Sequence, residues 1–162
     1  MAEKKEELSG EEVQLINFRL GNEEFGADIG LVREITRITD ITHMPEVPSF
    51  IQGVINLRGQ IIAVIDLAKQ FGLSPRETLP QSARIVVAEV HGQTLGILVD
   101  EVPGVLKIPR ENIEPAPEPI RSKLDKDYIS GVGKLENRLI ILLDLEKVLA
   151  PQEVEEVASL ST

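Results

Sequence analysis

The chain has 162 residues, with 27 acidic side chains against 17 basic ones and a formal net charge of -10 at pH 7. Aromatic residues make up only 3% and cysteine is absent. An acidic chain so poor in rings repels a phosphate backbone and lacks stacking platforms, and without cysteine it has no disulfides, thiolate nucleophiles or cysteine-ligated metal centres.

The opening MAEKKEELSGEE is polar and lacks the apolar centre of a signal peptide, so residues 1–12 read as a flexible arm. No stretch approaches the roughly 20 apolar residues that span a bilayer, and a cytoplasmic location is the expectation. Residues 13–29 alternate as two strands around Gly21-Asn22-Glu23-Glu24, which predicts a hairpin. Leu31 to Ile35 continues as an extended segment, and Pro45 and Pro48 punctuate the loop beyond it. Phe50 to Asn56 is expected to start as a helical turn. The clearest strand follows at Gln60 to Leu67, where Ile61-Ile62-Ala63-Val64-Ile65 runs apolar without a break, as a strand buried on both faces does. Ala68 to Gly72 reads as one helical turn closed by glycine.

Residues 74–82 hold two prolines and read as a linker or long loop. Strands are then predicted at Arg84 to Val90, Thr94 to Asp100, Val102 to Ile108 and Leu139 to Leu145, with a helical turn from Glu146 to Leu149. The tail 151–162 reads as a weak amphipathic helix or as disorder. Val, Ile and Leu dominate throughout, so the fold class is mostly β with an aliphatic core.

An internal repeat organises these strands. Residues 50–71 laid over 128–149 give eight identities in 22 positions, among them Gly53 with Gly131 and Asp66 with Asp144. Phe25-Gly26 and Leu95-Gly96 echo each other as well. Two β-rich halves built to one plan, the second running over roughly 83–150, is the economical reading. Each has about five short strands, the size of a small closed barrel.

Gly53-Val54-Ile55-Asn56-Leu57-Arg58-Gly59-Gln60 is the most distinctive string. Arg58 is either a solvated turn residue or an arginine fixed for a carboxylate or carbonyl on a partner. The second copy has Glu136-Asn137 where the first has Arg58-Gly59, as fits a recognition site carried by one copy only. Asp66 and Asp144 each end a strand before a helical turn, the position of an N-cap. A two-carboxylate catalytic reading is weaker, because duplicate positions lie in separate halves. His43 and His91 fall in loops without ligand spacing and read as surface residues. Arg33 and Glu34 read as exposed.

Gly53 to Gly59 running into Ile61-Ile62-Ala63-Val64-Ile65-Asp66-Leu67 resembles the CheW-like domain. So do Leu20 to Ile29 followed by Val32-Arg33-Glu34-Ile35, and Gly96-Ile97-Leu98-Val99-Asp100-Glu101-Val102. The likeness covers roughly residues 13–150, and Ala63 departs from it where the family usually has proline. It implies two SH3-like five-stranded β-barrel subdomains, intertwined around a shared hydrophobic core, with short helices. It implies a non-enzymatic adaptor of bacterial chemotaxis, joining the cytoplasmic tips of methyl-accepting chemoreceptors to the regulatory domain of the histidine kinase CheA. Cofactors, metals and catalytic residues have no place in that reading. The receptor-contact residues it implies are Val32, Glu34, Gly53, Arg58 and Gly59, while the kinase-contact residues stay open. A ligand-binding regulatory module and a hydrolase using Asp66, Asp100 or Glu101 are the rival readings.

Overall fold

The computed structural model describes residues 12–73, 78–117 and 128–149. The predicted N-terminal arm, apart from its last residue, and the C-terminal tail lie outside them. The strands in chain order are β1 (Glu12–Leu20), β2 (Glu23–Asp28), β3 (Val32–Arg37), β4 (Ile51–Leu57), β5 (Gln60–Asp66), β6 (Arg84–Val90), β7 (Gln93–Val99), β8 (Glu101–Pro109), β9 (Ile113–Glu114), β10 (Ile129–Leu135) and β11 (Arg138–Leu143). Two single-turn helices, α1 (Leu67–Gln70) and α2 (Leu145–Val148), follow β5 and β11.

The strands form two sheets, each an SH3-like barrel. The five-stranded sheet has the order β3-β6-β7-β5-β4, and the six-stranded sheet has β9-β10-β11-β2-β1-β8. The second exceeds the expected five strands by β9, which is two residues long. Its counterpart in the first barrel is a single bridge between Thr42 and Val54. Neither sheet coincides with one half of the sequence. The five-stranded sheet joins β3, β4 and β5 to β6 and β7, and the six-stranded sheet joins β1 and β2 to the later strands. The halves meet through four pairings, β5 with β7 and β2 with β11 in parallel and β3 with β6 and β1 with β8 antiparallel.

Strand alternation distributes the aliphatic side chains over three cores. On β6, Ile85 and Val87 fill the five-stranded barrel, while Val86, Ala88 and Val90 face the neighbouring barrel. On β5, Ile62 and Val64 point inward and Ala63 and Ile65 outward, which is why the run is apolar without interruption. Leu15, Ile108, Ile140 and Leu142 fill the six-stranded barrel. The largest core lies between the barrels and takes Ile16, Phe18, Leu20 and Phe25 from one and Ile65, Leu95, Ile97 and Val99 from the other. Four of the five aromatic rings meet there in a row. Phe18 stacks on Phe25 at 5.8 Å, Phe25 meets Phe71 at 5.9 Å, and Phe71 meets Tyr128 at 6.0 Å.

Phe50 to Asn56 does not begin as a helical turn, because residues from Ile51 on form β4. Its pairing with β5 shifts register between Ile51 and Gly53. Such a bulge turns the strand over, so Ile51 packs between the barrels and Ile55 inside one. The irregular alternation hides the strand from a period-two reading. Gly53 sits at the bulge with φ +151°. A Cβ there would lie 2.3 Å from the Thr42 carbonyl oxygen, which accepts from the Val54 N–H at 2.9 Å. Gly131 repeats this at φ +152°, with a Cβ 2.8 Å from the Glu114 carbonyl oxygen. The matched glycines of the repeat are matched bulges.

Candidate functional site

The distinctive arginine lies at the rim of the five-stranded barrel. β4 and β5 are joined by the two-residue turn Arg58-Gly59, with φ +51° at Arg58 and +88° at Gly59. Positive φ at both positions is the backbone of the tight hairpin turns that follow the twist of paired strands. The Asn56 side chain steadies this turn, its Oδ1 accepting from the Gly59 N–H at 2.8 Å. Arg58 therefore takes a conformation that side chains other than glycine rarely adopt. Glu46 and His91 are the other non-glycine residues with positive φ among those described. Glu136 and Asn137 are not among them, so the copies differ at this turn in backbone as well as in side chain.

β3 and β4 are the two edges of the five-stranded sheet. Across that seam Arg58 reaches Glu34 on β3. Arg58 Nη1 donates to Glu34 Oε1 at 3.2 Å, and Nη2 donates to Oε2 alongside it. The arginine side chain is 71% exposed and the glutamate 29%. The Glu34 hydrogen bond, and then its charge, raise the Arg58 pKa above its ordinary value. Thus the guanidinium is a cation at any working pH, held flat in a bidentate fork.

β3 presents alternating side chains around that fork. Val32, Glu34 and Thr36 are half-buried, while Arg33, Ile35 and Arg37 are exposed. Val32 packs against the central core, and Arg33 pairs with Glu89 on β6. Ile35 is one of three large apolar residues left exposed among those described, with Val105 and Leu139. Of the five residues implied by the resemblance, Val32 and Glu34 share one strand and Arg58 and Gly59 share the facing turn. Gly53 stands apart, buried at the bulge of β4.

Asp66 is 4% exposed, and its Oδ1 accepts from the Ala68 and Lys69 N–H groups at 3.1 and 3.4 Å. Asp144 Oδ1 accepts from the Glu146 N–H at 3.1 Å. Asp100 Oδ2 accepts from the Gly21 N–H at 2.8 Å, tying the β1–β2 turn to the end of β7. Among the described residues no group of three or more His, Asp or Glu side chains is arranged to hold a metal ion. His91 departs from a simple surface residue. Its Nε2 lies 2.8 and 2.9 Å from the Glu146 and Leu149 carbonyl oxygens, fastening the β6–β7 turn to the end of α2. No local signal in the sequence marks that link, which spans more than 50 residues.

The CheW-like domain family model matches residues 14–153, from β1 through α2. This chain belongs to the CheW-like domain family. Its CheW relatives include a probable chemotaxis protein CheW of Rhizobium etli, 39% identical over 142 residues, which cover 88% of this chain and 90% of that one. The chemotaxis protein CheW of Klebsiella aerogenes is 39% identical over 149 residues, covering 91% and 89%. The crystal structure of the scaffolding protein TtCheW from Thermoanaerobacter tengcongensis superposes with a TM-score of 0.77 at 38% identity, covering 87% of this chain and 94% of that one. Two barrels around a common core are therefore the architecture of a CheW chemotaxis scaffold. Ala63, where the resemblance leads one to expect proline, is fully buried on β5 opposite Val54.

Proposed function

We propose that this chain is a non-enzymatic cytoplasmic adaptor that couples the tips of methyl-accepting chemoreceptors to the regulatory domain of the histidine kinase CheA. The observation that carries the reading is the family match over both barrels, with relatives named as chemotaxis proteins at up to 39% identity. Adaptors need rigid surfaces and no reacting group, and a pair of barrels packed through an aromatic row supplies the rigidity.

The receptor-binding region of this proposal is the seam of the five-stranded barrel. Val32 offers an apolar contact, Arg58 a planar donor fork, and Gly59 an open backbone beside it. Glu34 belongs to the same region through its pairing with Arg58. Gly53 serves from behind, by fixing the bulge that sets the course of β4. Weak individual contacts suffice in an array, since linked components rebind at high effective concentration.

The test is co-precipitation of the purified chain with a CheA regulatory domain and with a receptor-tip fragment, beside a thermal-shift screen of small molecules. Capture of both proteins supports the coupling role. A specific small-molecule shift without capture of either would replace it with a ligand-sensing module.

A further inference from the structure

Glu34 and Arg58 both fall in the proposed contact region, yet their polar groups are turned towards each other. A guanidinium carries five N–H groups, and the fork to Glu34 uses two of them. Three remain, one on Nε and one on each Nη, and Arg58 has no other acceptor among the described residues. With its side chain 71% exposed, the arginine presents these donors to solvent, while the carboxylate behind it is more covered.

This geometry has two physical consequences. The pair is neutral as a unit, so it exerts little long-range attraction on a partner carboxylate, least of all from a chain of net charge -10. The fork also holds the guanidinium plane still, so its free donors are already ordered when a partner arrives. A partner carboxylate drawing on Arg58 would stand beside the Glu34 carboxylate as a like charge, which disfavours such a partner.

We infer that Arg58 recognises a neutral oxygen acceptor on its partner, an amide carbonyl or a hydroxyl, and that Glu34 is a positioning residue that holds the fork and makes no contact of its own. The inference rests on the receptor-binding reading of this seam and names the chemistry of the group bound there.

The experiment titrates a helical-hairpin fragment of a methyl-accepting receptor tip into the full-length chain at about 0.05 M and about 0.5 M salt. The proteins are the unchanged chain, Glu34→Gln, Arg58→Lys, Arg58→Ala and the double variant Glu34→Gln/Arg58→Ala, each first checked for an unaltered melting curve. For the unchanged chain, Kd is expected to move less than about threefold between the two salts. Glu34→Gln should weaken binding about five- to tenfold, Arg58→Lys nearly as much as Arg58→Ala, and the double variant no more than Arg58→Ala alone. Tighter binding by Glu34→Gln, a steep salt dependence of the unchanged chain, or additive losses in the double variant would each overturn the inference. Undiminished binding by Arg58→Ala would remove the seam from the interface altogether, a different failure with a different signature.

Discussion

Gln70 and Val148 are equivalent residues of the two repeats, 78 positions apart, and they touch: Gln70 Nε2 donates to the Val148 carbonyl oxygen at 3.4 Å. A residue meets its own counterpart only beside the axis that relates two copies. The pseudo-twofold of this molecule therefore runs between α1 and α2. Around it gather Phe71, which follows α1, and the link from His91 to the end of α2. The proposed partner-binding seam lies on the rim of one barrel, where the copies can differ at no cost to the shared core.

The seam gives the first prediction. Arg58→Ala removes an exposed donor fork and no packed side chain, so affinity for a receptor-tip fragment should fall about tenfold or more while the melting temperature barely changes. Titration and differential scanning calorimetry on the same sample check both halves. Unchanged affinity would move the binding site elsewhere.

Gly53 should behave in the opposite way. A methyl group at this position meets the Thr42 carbonyl at 2.3 Å in a backbone conformation that alanine resists. Gly53→Ala is expected to cost about 2–4 kcal/mol, in the range of backbone strain added to a core clash. Gly131→Ala, with 2.8 Å of room, should cost less. Urea unfolding of the two variants orders them, and equal midpoints would contradict the bulge as the reason for glycine.

Asp66 and Asp144 differ in their number of capping bonds. Asp66→Ala should lower stability by about 1–2 kcal/mol, the usual worth of an N-cap, which is a melting shift of roughly 2–8 °C in a chain of this size. Asp144 caps one N–H and is half-buried, so its replacement should cost less. Partner binding should survive in both. Lost binding at an unchanged melting temperature would assign Asp66 to the interface.

Asn17 stands among aliphatic residues on β1. It is 1% exposed, its Oδ1 has no hydrogen-bond partner, and the equivalent residue in the other barrel is Val87. Asn17→Val should raise stability by about 1 kcal/mol, because it removes an unpaired buried acceptor without changing shape much. A drop in the unfolding midpoint would show that the amide is needed.

Much of this fold can be read in the sequence because much of it is local. The hairpin around Gly21, the doubly buried strand at Ile61–Ile65 and the two capped helical turns all announce themselves within a dozen residues. The repeat adds the equivalence of Gly53 with Gly131. What escapes is pairing between distant segments. β4 looks irregular until its bulge against β5 and its bridge to Thr42 are known, and His91 looks solvated until α2 folds back over it. At the seam, each charge of Glu34 and Arg58 is visible in the sequence, but their fork depends on closure of a barrel through strands from both halves.

That exchange of strands bears on how the chain acquires its structure. Neither half can finish a sheet alone, since β3, β4 and β5 wait for β6 and β7, and β1 and β2 wait for β11. The first half leaving the ribosome therefore stays incomplete until almost the entire chain has emerged, and folding should be slow and all-or-none. Cut within residues 74–77, the two fragments should be unfolded apart and should reconstitute the native pair of barrels when mixed.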